Sequence, residues 1–273
     1  MQIRSAYRNA VVGLALFLVS VGALTGCASA PKTNHSQTLR VMTYNIHHGE
    51  GLDGKVDLLR IAQLIKEQGA EIVALQEVDR NLPRTAHRDF PEELAALTGM
   101  TCVFSNNHAF DGGEYGNAVL TKFPVKRWTN LHYKMLRAGE QRGILQLVLD
   151  VYGREIAFMN THIDYRPDDS ERWANVSEIE GLKKKYGDRP IIMCGDFNAM
   201  PDSRVVRRLA ESFDDAWVLI GNGDGFTIPV QNPARRIDYI WISKAKSLVP
   251  KKIWVPQSEA SDHLPVVADF ELK

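Results

Sequence analysis

IIMCGDFN at residues 191–198 carries its polar chemistry at the C-terminal end of an apolar, strand-length run, whereas RIDYIWIS at 236–243 carries its own at the N-terminal start. If Asp196 and Asp238 serve one site, their two strands must run in opposite directions. An all-parallel sheet, whether doubly wound or closed into a barrel, collects its functional side chains at one kind of strand end and is therefore excluded.

The same pattern recurs on either side. Asn45 follows VMTY, Glu77 follows IVALQ and His162 follows IAFMNT, all at C-terminal ends, while Asp262-His263 precedes LPVVADF at an N-terminal start. Apolar runs predict strands over 39–46, 72–76, 102–105, 118–121, 144–151, 156–162, 191–194, 237–243, 253–255 and 266–272. Helical spacing predicts helices over 56–68, 91–97, 170–185 and 203–211, the last opened by Pro201-Asp202. Two mixed or antiparallel sheets packed face to face and covered outside by helices accommodate this number of strands. No internal repeat or low-complexity block interrupts the chain.

At 273 residues, 44% hydrophobic and 24% charged, the chain can bury one sizeable core. Its first 27 residues stand apart. Arg4 and Arg8 precede an apolar stretch from Ala10 to Leu24, a charged and then hydrophobic order that reads as a signal peptide and is too short for a membrane span. The closing tetrad Leu24-Thr25-Gly26-Cys27 resembles the lipobox of bacterial lipoproteins, which implies lipidation at Cys27 and anchoring to the bacterial cell envelope, at the outer membrane or periplasm. The alternative is an ordinary secretory signal cut near Ala28-Ser29-Ala30, with release of the protein. Residues 28–38 are expected to be a flexible tether and 39–273 the catalytic domain.

Loss of residues 1–27 removes two arginines and no acid, leaving 31 basic against 33 acidic side chains and a net charge near −2. A protein that lives on phosphate-backbone contacts usually carries a basic excess, so nucleic acid stays open as a substrate but is not favoured. Lys183-Lys184-Lys185 and Arg207-Arg208 read as solvated helix faces. Cys102 and Cys194 read as inert core thiols rather than a disulfide. A monomer is expected.

Carboxylates, amides and two histidines, with almost no cysteine, suit a hard cation and acid–base catalysis. Phosphoester hydrolysis needs both, because a phosphate's charge repels a nucleophile and the leaving oxygen must take on charge. Asn45, Glu77 and Asp262 are suitable ligands for Mg²⁺ or Mn²⁺. His263 oriented by Asp238 can take a proton from water near neutral pH, which leaves His162 to protonate the leaving group or bind phosphate. Each residue alone has a bland reading, such as an Asx turn at Asp196-Phe197-Asn198; the recurrence at six strand ends does not.

TYNIHHG at 43–49, LQEVD at 75–79, YGNAVLTKFP at 115–124, NTHID at 160–164, GDFNA at 195–199, RIDYIWIS at 236–243 and SDHLP at 261–265 together resemble the endonuclease/exonuclease/phosphatase superfamily, over about residues 39–272. The resemblance implies a four-layer α/β sandwich and a divalent-metal phosphoesterase. It assigns Asn45, Glu77 and Asp262 to the metal, His263 with Asp238 to the base and its orienting carboxylate, and His162 to the second histidine. Asp196 and Asn198 position the nucleophile and support the transition state, with the base role shared between Asp196 and His263. Arg142, Tyr115 and Asn117 fall where members contact the substrate phosphate. The inositol polyphosphate phosphatase signature is missing at Asn198-Ala199-Met200 and Arg236-Ile237-Asp238-Tyr239. The expected substrate is a small or lipid-linked phosphoester outside the cytoplasm; a secreted nuclease is the alternative, and a noncatalytic binding module a third.

Overall fold

A computed structural model describes residues 37–244 and 247–273. Cys27 and the rest of the signal segment lie outside the described residues, as does the tether up to residue 36. Gln37 and Thr38, expected to end the tether, instead open the first strand, β1 (Gln37–Asn45).

The remaining strands are β2 (Ile72–Arg80), β3 (Thr101–Phe110), β4 (Gly113–Thr121), β5 (Val125–His132), β6 (Gly143–Val151), β7 (Arg154–His162), β8 (Ile191–Asp196), β9 (Phe213–Asp215), β10 (Asp238–Ser243), β11 (Leu248–Trp254) and β12 (Val266–Leu272). They form two six-stranded sheets, ordered β11-β12-β1-β2-β4-β3 and β5-β6-β7-β8-β10-β9. Each sheet is mixed. Only β1–β2 in the first and β7–β8 in the second are parallel, and the other pairs are antiparallel.

Strand pleating sorts the side chains into layers. Leu39 and Val41 of β1, Ile72 and Ala74 of β2, Ile156 and Phe158 of β7, Ile192 and Cys194 of β8 and Ile240 and Ile242 of β10 meet in one apolar layer between the sheets. The alternate residues face outward. Met42, Tyr44, Val73 and Leu75 pack under helices α1 (Leu58–Gln68) and α2 (Phe90–Thr98). Met159, Met193, Tyr239 and Trp241 pack under α3 (Ser170–Tyr186) and α4 (Arg204–Ser212). The order helix, sheet, sheet, helix is the expected four-layer sandwich. Cys102 and Cys194 are both free, and burial pushes the Cys102 thiol up to about 12. Among the described residues no helix is long and apolar enough to cross a membrane.

Helix starts follow local capping chemistry. Asp57 accepts from the Leu59 amide, Asp89 from Glu92 and Ser203 from Val206, satisfying amides that no preceding turn can reach. Among strands and α-helices, three escape sequence patterning: β5, β9 and the short helix α5 (Ala216–Ile220). Strand β5 is an edge strand whose Lys126, Arg127 and Trp128 are exposed, so it lacks the alternation that marks a half-buried strand.

Toward the end of β1 and β7 the inter-sheet layer turns polar. Asn160 is fully buried; its amide donates to the Leu75 and Ala118 carbonyls of the opposite sheet, at 2.8 Å each, and accepts from Gln76 at 2.7 Å. Gln76 also reaches Thr43 Oγ1 at 3.1 Å. This stitch fixes one sheet against the other directly beneath the strand ends. Asn160→Leu removes both donors and strands two buried carbonyls, so urea denaturation is expected to show a loss of about 3 kcal/mol, two or more times the loss for Ile156→Val in the neighbouring apolar layer.

Candidate active site

The inward parity that buries Val41, Phe158, Cys194 and Ile240 also puts Asn45, His162, Asp196 and Asp238 on the inner faces, where each strand leaves the core. Pairing then aligns them laterally. His162 lies beside Asp196 in the parallel β7–β8 register, and Asp238 beside Asp196 in the antiparallel β8–β10 register. Gly195 makes the first approach tolerable: its φ is 152°, and a Cβ there would overlap the Thr161 carbonyl.

Glu77 has the wrong parity for the inner face. A β-bulge corrects it: the β2–β4 register shifts between Leu75 and Val78, and Glu77 adopts φ 60°. Its carboxylate then meets Asn45, whose Nδ2 lies 2.9 Å from Glu77 Oε1 and 3.2 Å from Asp196 Oδ2.

Asp262 and His263 come from the loop before β12, which is pinned to the end of β1 by Ser261 Oγ donating to the Asn45 carbonyl at 2.7 Å. The His263 ring bonds through Nδ1 to Asp238 Oδ2 at 2.9 Å, and its Nε2 is 3.8 Å from Asp196 Oδ2. The same Asp196 oxygen is 3.5 Å from His162 Nε2. Asp196 Oδ2 is thus the point on which Asn45, His162 and His263 converge. Asn198, at φ 44°, turns its backbone amide onto Asp196 Oδ1 at 2.8 Å and its side-chain Nδ2 onto His162 Nε2 at 3.0 Å.

Charge states follow from this crowding. Burial, reinforced by Asp238, pushes the Asp196 carboxyl up to about 7, against the opposing pull of His263, the Asn198 amide and Asn45. Burial alone would discourage charge on His263, but Asp238, with Asp196 and Asp262 behind it, outweighs that and raises the imidazole to about 10. His162 goes the other way: burial, Arg142 and His263 hold it well below 6.5. It is neutral near pH 7 with Nε2 accepting from Asn198, which conflicts with the expectation of a leaving-group acid and makes its part the positioning of Asn198 beside Asp196.

These groups border a cleft of about 550 Å³, lined also by Arg142, Tyr115, Arg84, His47, His48 and Tyr165. Arg142 is 7% exposed, with Nε and Nη1 unpartnered. Its Nη2 pairs with Glu140 at 3.1 Å, and the guanidinium lies 5.5 Å from the Tyr165 ring centroid. Asn117 does not join them. It is buried below the cleft, donating to the Gly143 carbonyl at 3.2 Å, so its place is to hold β4 against β6 rather than to touch substrate. Asp238 also stands behind the lining, reaching the cleft through His263, while Asn45 is buried beside Glu77 with its Oδ1, which accepts from the His47 amide at 3.1 Å, as the atom it could offer a cation.

Thr227 carries no signal in the sequence, yet its hydroxyl donates to Asp238 Oδ2 at 2.5 Å and helps hold that carboxylate toward His263. Arg84 is likewise silent. His47 and His48 lie within TYNIHHG without an assigned role; φ values of 44° and 40° mark them as strained.

The donor set fits a hard divalent cation. Glu77 has one hydrogen-bond donor among the described residues, Asn45 Nδ2, which it shares with Asp196, while Asp262 is half exposed and the nearest imidazole, His47 Nδ1, is 3.9 Å away. Carboxylates gathered with so few donors are what a cation of oxygen preference relieves. Asp196, Asp238 and His263 are also close enough to hold an ion together. The 2.9 Å His263–Asp238 bond instead makes them a proton-carrying chain, which leaves Asn45, Glu77 and Asp262 as the better cation ligands.

The sequence pattern of the Endonuclease/Exonuclease/phosphatase family matches residues 42–263. The uncharacterised protein YbhP of Escherichia coli K12 is 26% identical over 261 residues, covering 89% of this chain and all of YbhP. Among solved structures, an endonuclease/exonuclease/phosphatase from Beutenbergia cavernae superposes with a TM-score of 0.72 at 24% identity, covering 86% of this chain and 72% of its own. The Bacteroides thetaiotaomicron mannosyl-6-phosphatase Bt3783 superposes with a TM-score of 0.71 at 18% identity, covering 85% and 99%. This chain belongs to the endonuclease/exonuclease/phosphatase family, whose members hydrolyse phosphoester bonds and typically require a divalent metal.

Proposed function

We propose that the protein is a Mg²⁺- or Mn²⁺-dependent phosphoesterase acting outside the cytoplasm on a small or lipid-linked phosphoester. The observation that carries the chemistry is the convergence on Asp196 Oδ2, with Asn45 at 3.2 Å, His162 at 3.5 Å and His263 at 3.8 Å. A compact cleft with two arginines and a chain of near-neutral charge favour a small ligand over a duplex.

Asn45, Glu77 and Asp262 would hold the cation, which when bound withdraws charge from the phosphate. Asp196 is the base: with its carboxyl near 7 it can take a proton from water, whereas His263 already carries one. His263, kept cationic by Asp238, offers its Nε2 hydrogen to a phosphoryl oxygen as charge develops there. Asn198 holds Asp196 and His162 in register. Arg142, which lines the cleft and keeps two buried nitrogens without partners, binds the phosphate and stabilises it electrostatically.

The signs of these shifts set the pH profile. Activity requires Asp196 deprotonated and His263 protonated, so kcat/KM should rise with pH through about 7, or lower once a cation is bound, and fall through about 10. Asp196→Asn should lower kcat on bis(4-nitrophenyl) phosphate by roughly 10²–10⁴-fold and remove the lower limb. A rate that keeps its acid limb in that variant would reassign the base.

Chelation should abolish turnover and added Mg²⁺ or Mn²⁺ restore it, with Glu77→Gln raising the concentration needed. Turnover that survives chelation would overturn the metal assignment. For location, the LTGC tetrad at 24–27 is the support. Growth with a clickable palmitate analogue should label the native chain and not Cys27→Ser; equal labelling of both would overturn lipidation at that cysteine.

A further inference from the structure

Arg84 stands in the cleft wall without a part in the chemistry above. It lies in a short 3-10 turn, Pro83–Thr85, that follows β2. Its Nε and Nη2 donate to Asp79 Oδ2 and Oδ1 at 2.7 and 2.6 Å, and Asp79 is fully buried while the arginine side chain remains 39% exposed. Nη1 makes no hydrogen bond among the described residues. The guanidinium lies 5.5 Å from both the Phe110 and the Tyr115 ring centroids, so it is fixed by a carboxylate behind and aromatic surfaces beside it.

A purely structural tie is the simpler reading. The turn, however, is already closed by its own backbone: Thr85 and His87 donate to the Leu82 carbonyl, Ala86 to Pro83, Arg88 to Thr85 and Asn81 to Arg88. The Asp79 pair adds little to that closure; it gives a fully buried carboxylate its counter-ion and at the same time fixes a planar cation at the cleft wall. A carboxylate held behind a ligand-binding side chain is a common way to fix its orientation.

Charge makes the second step. In the proposed reaction a single scissile phosphate would already meet Arg142, His263 and the cation. Asp79 already balances the Arg84 charge, but Nη1 keeps an unused N–H donor held in a fixed direction at the cleft wall, and a second anionic group on the substrate is the acceptor that such a donor suits. We propose that Arg84, flanked by Phe110 and Tyr115, forms a second anion subsite, and that the substrate is a phosphoester carrying a second phosphoryl group away from the scissile one. This rests on the phosphoesterase reading for the scissile group. The second phosphoryl could belong to a small bisphosphate or to a neighbouring nucleotide.

Non-hydrolysable probes separate these cases by direct binding. Calorimetry of the full chain in excess Mg²⁺ should show propane-1,3-bisphosphonate binding about tenfold or more tightly than propylphosphonate, the gain of one charge-assisted contact. Arg84→Gln should erase that preference while leaving propylphosphonate within about twofold, and Arg84→Lys should keep part of it. Equal binding of the two phosphonates by the native chain, or a preference untouched in Arg84→Gln, would overturn the subsite. Should Arg84→Gln fail to fold, the native comparison and the lysine variant decide. A thymidine trinucleotide with methylenephosphonate linkages, which cannot be hydrolysed, that binds more tightly than the bisphosphonate assigns the second phosphate to nucleic acid, and the reverse order to a small molecule. If no phosphoester is hydrolysed yet the bisphosphonate preference stands, the hydrolase reading fails and the subsite survives.

Discussion

Asp196 keeps a carboxylate out of water beside a second carboxylate, and the rest of the site is arranged around that cost. A buried charge without partners is expensive enough that the group would simply stay protonated. Here Asp238 makes the problem worse by repulsion, and His263, Asn45 and the Asn198 amide relieve it only in part. The result is a carboxyl poised near neutrality rather than one locked in either state. The Asp238–His263 bond is the other half of the device: by stabilising the imidazolium, Asp238 supplies Asp196 with a nearby positive charge.

That arrangement depends on strand direction. Asp196 leaves the core at the end of β8 and Asp238 enters it at the start of β10, so only an antiparallel pair sets them side by side. Parallel pairing of β7 and β8 does the same for His162. The pleat then decides which residues face the inter-sheet layer, and a slip of one position would send every one of them to the helix-covered face. Asn160 and Gln76 make the transition from apolar core to polar site without leaving buried amide donors unmatched, and they hold both sheets at the depth where the site begins.

Much of this is legible from the chain. Apolar runs ending in polar residues located the inner strands, since a buried strand has to be apolar until it reaches solvent. Opposed placement of Asp196 and Asp238 required mixed sheets. Strand β5 was hidden because an edge strand exposed on both faces has no burial pattern to display. Asn117 was misplaced for a different reason. Its neighbours match a phosphate-contacting motif, but its side chain points to the Gly143 carbonyl beneath the cleft. His162 was legible as a site residue and not as a neutral one, because its charge state is set by burial and by Arg142 and His263 from other segments.

Residue chemistry, strand polarity and family membership are all readable in the linear chain, because these reside in local composition and order. Tertiary structure decided aim and charge. Glu77 reaches the site only through a bulge in the β2–β4 pairing, Thr227 steadies Asp238 from a loop 11 residues away, and Arg84 enters the cleft through a carboxylate on the preceding strand. Direction, dielectric surroundings and partnership are properties of atoms brought together from distant positions, and no single stretch of sequence contains them.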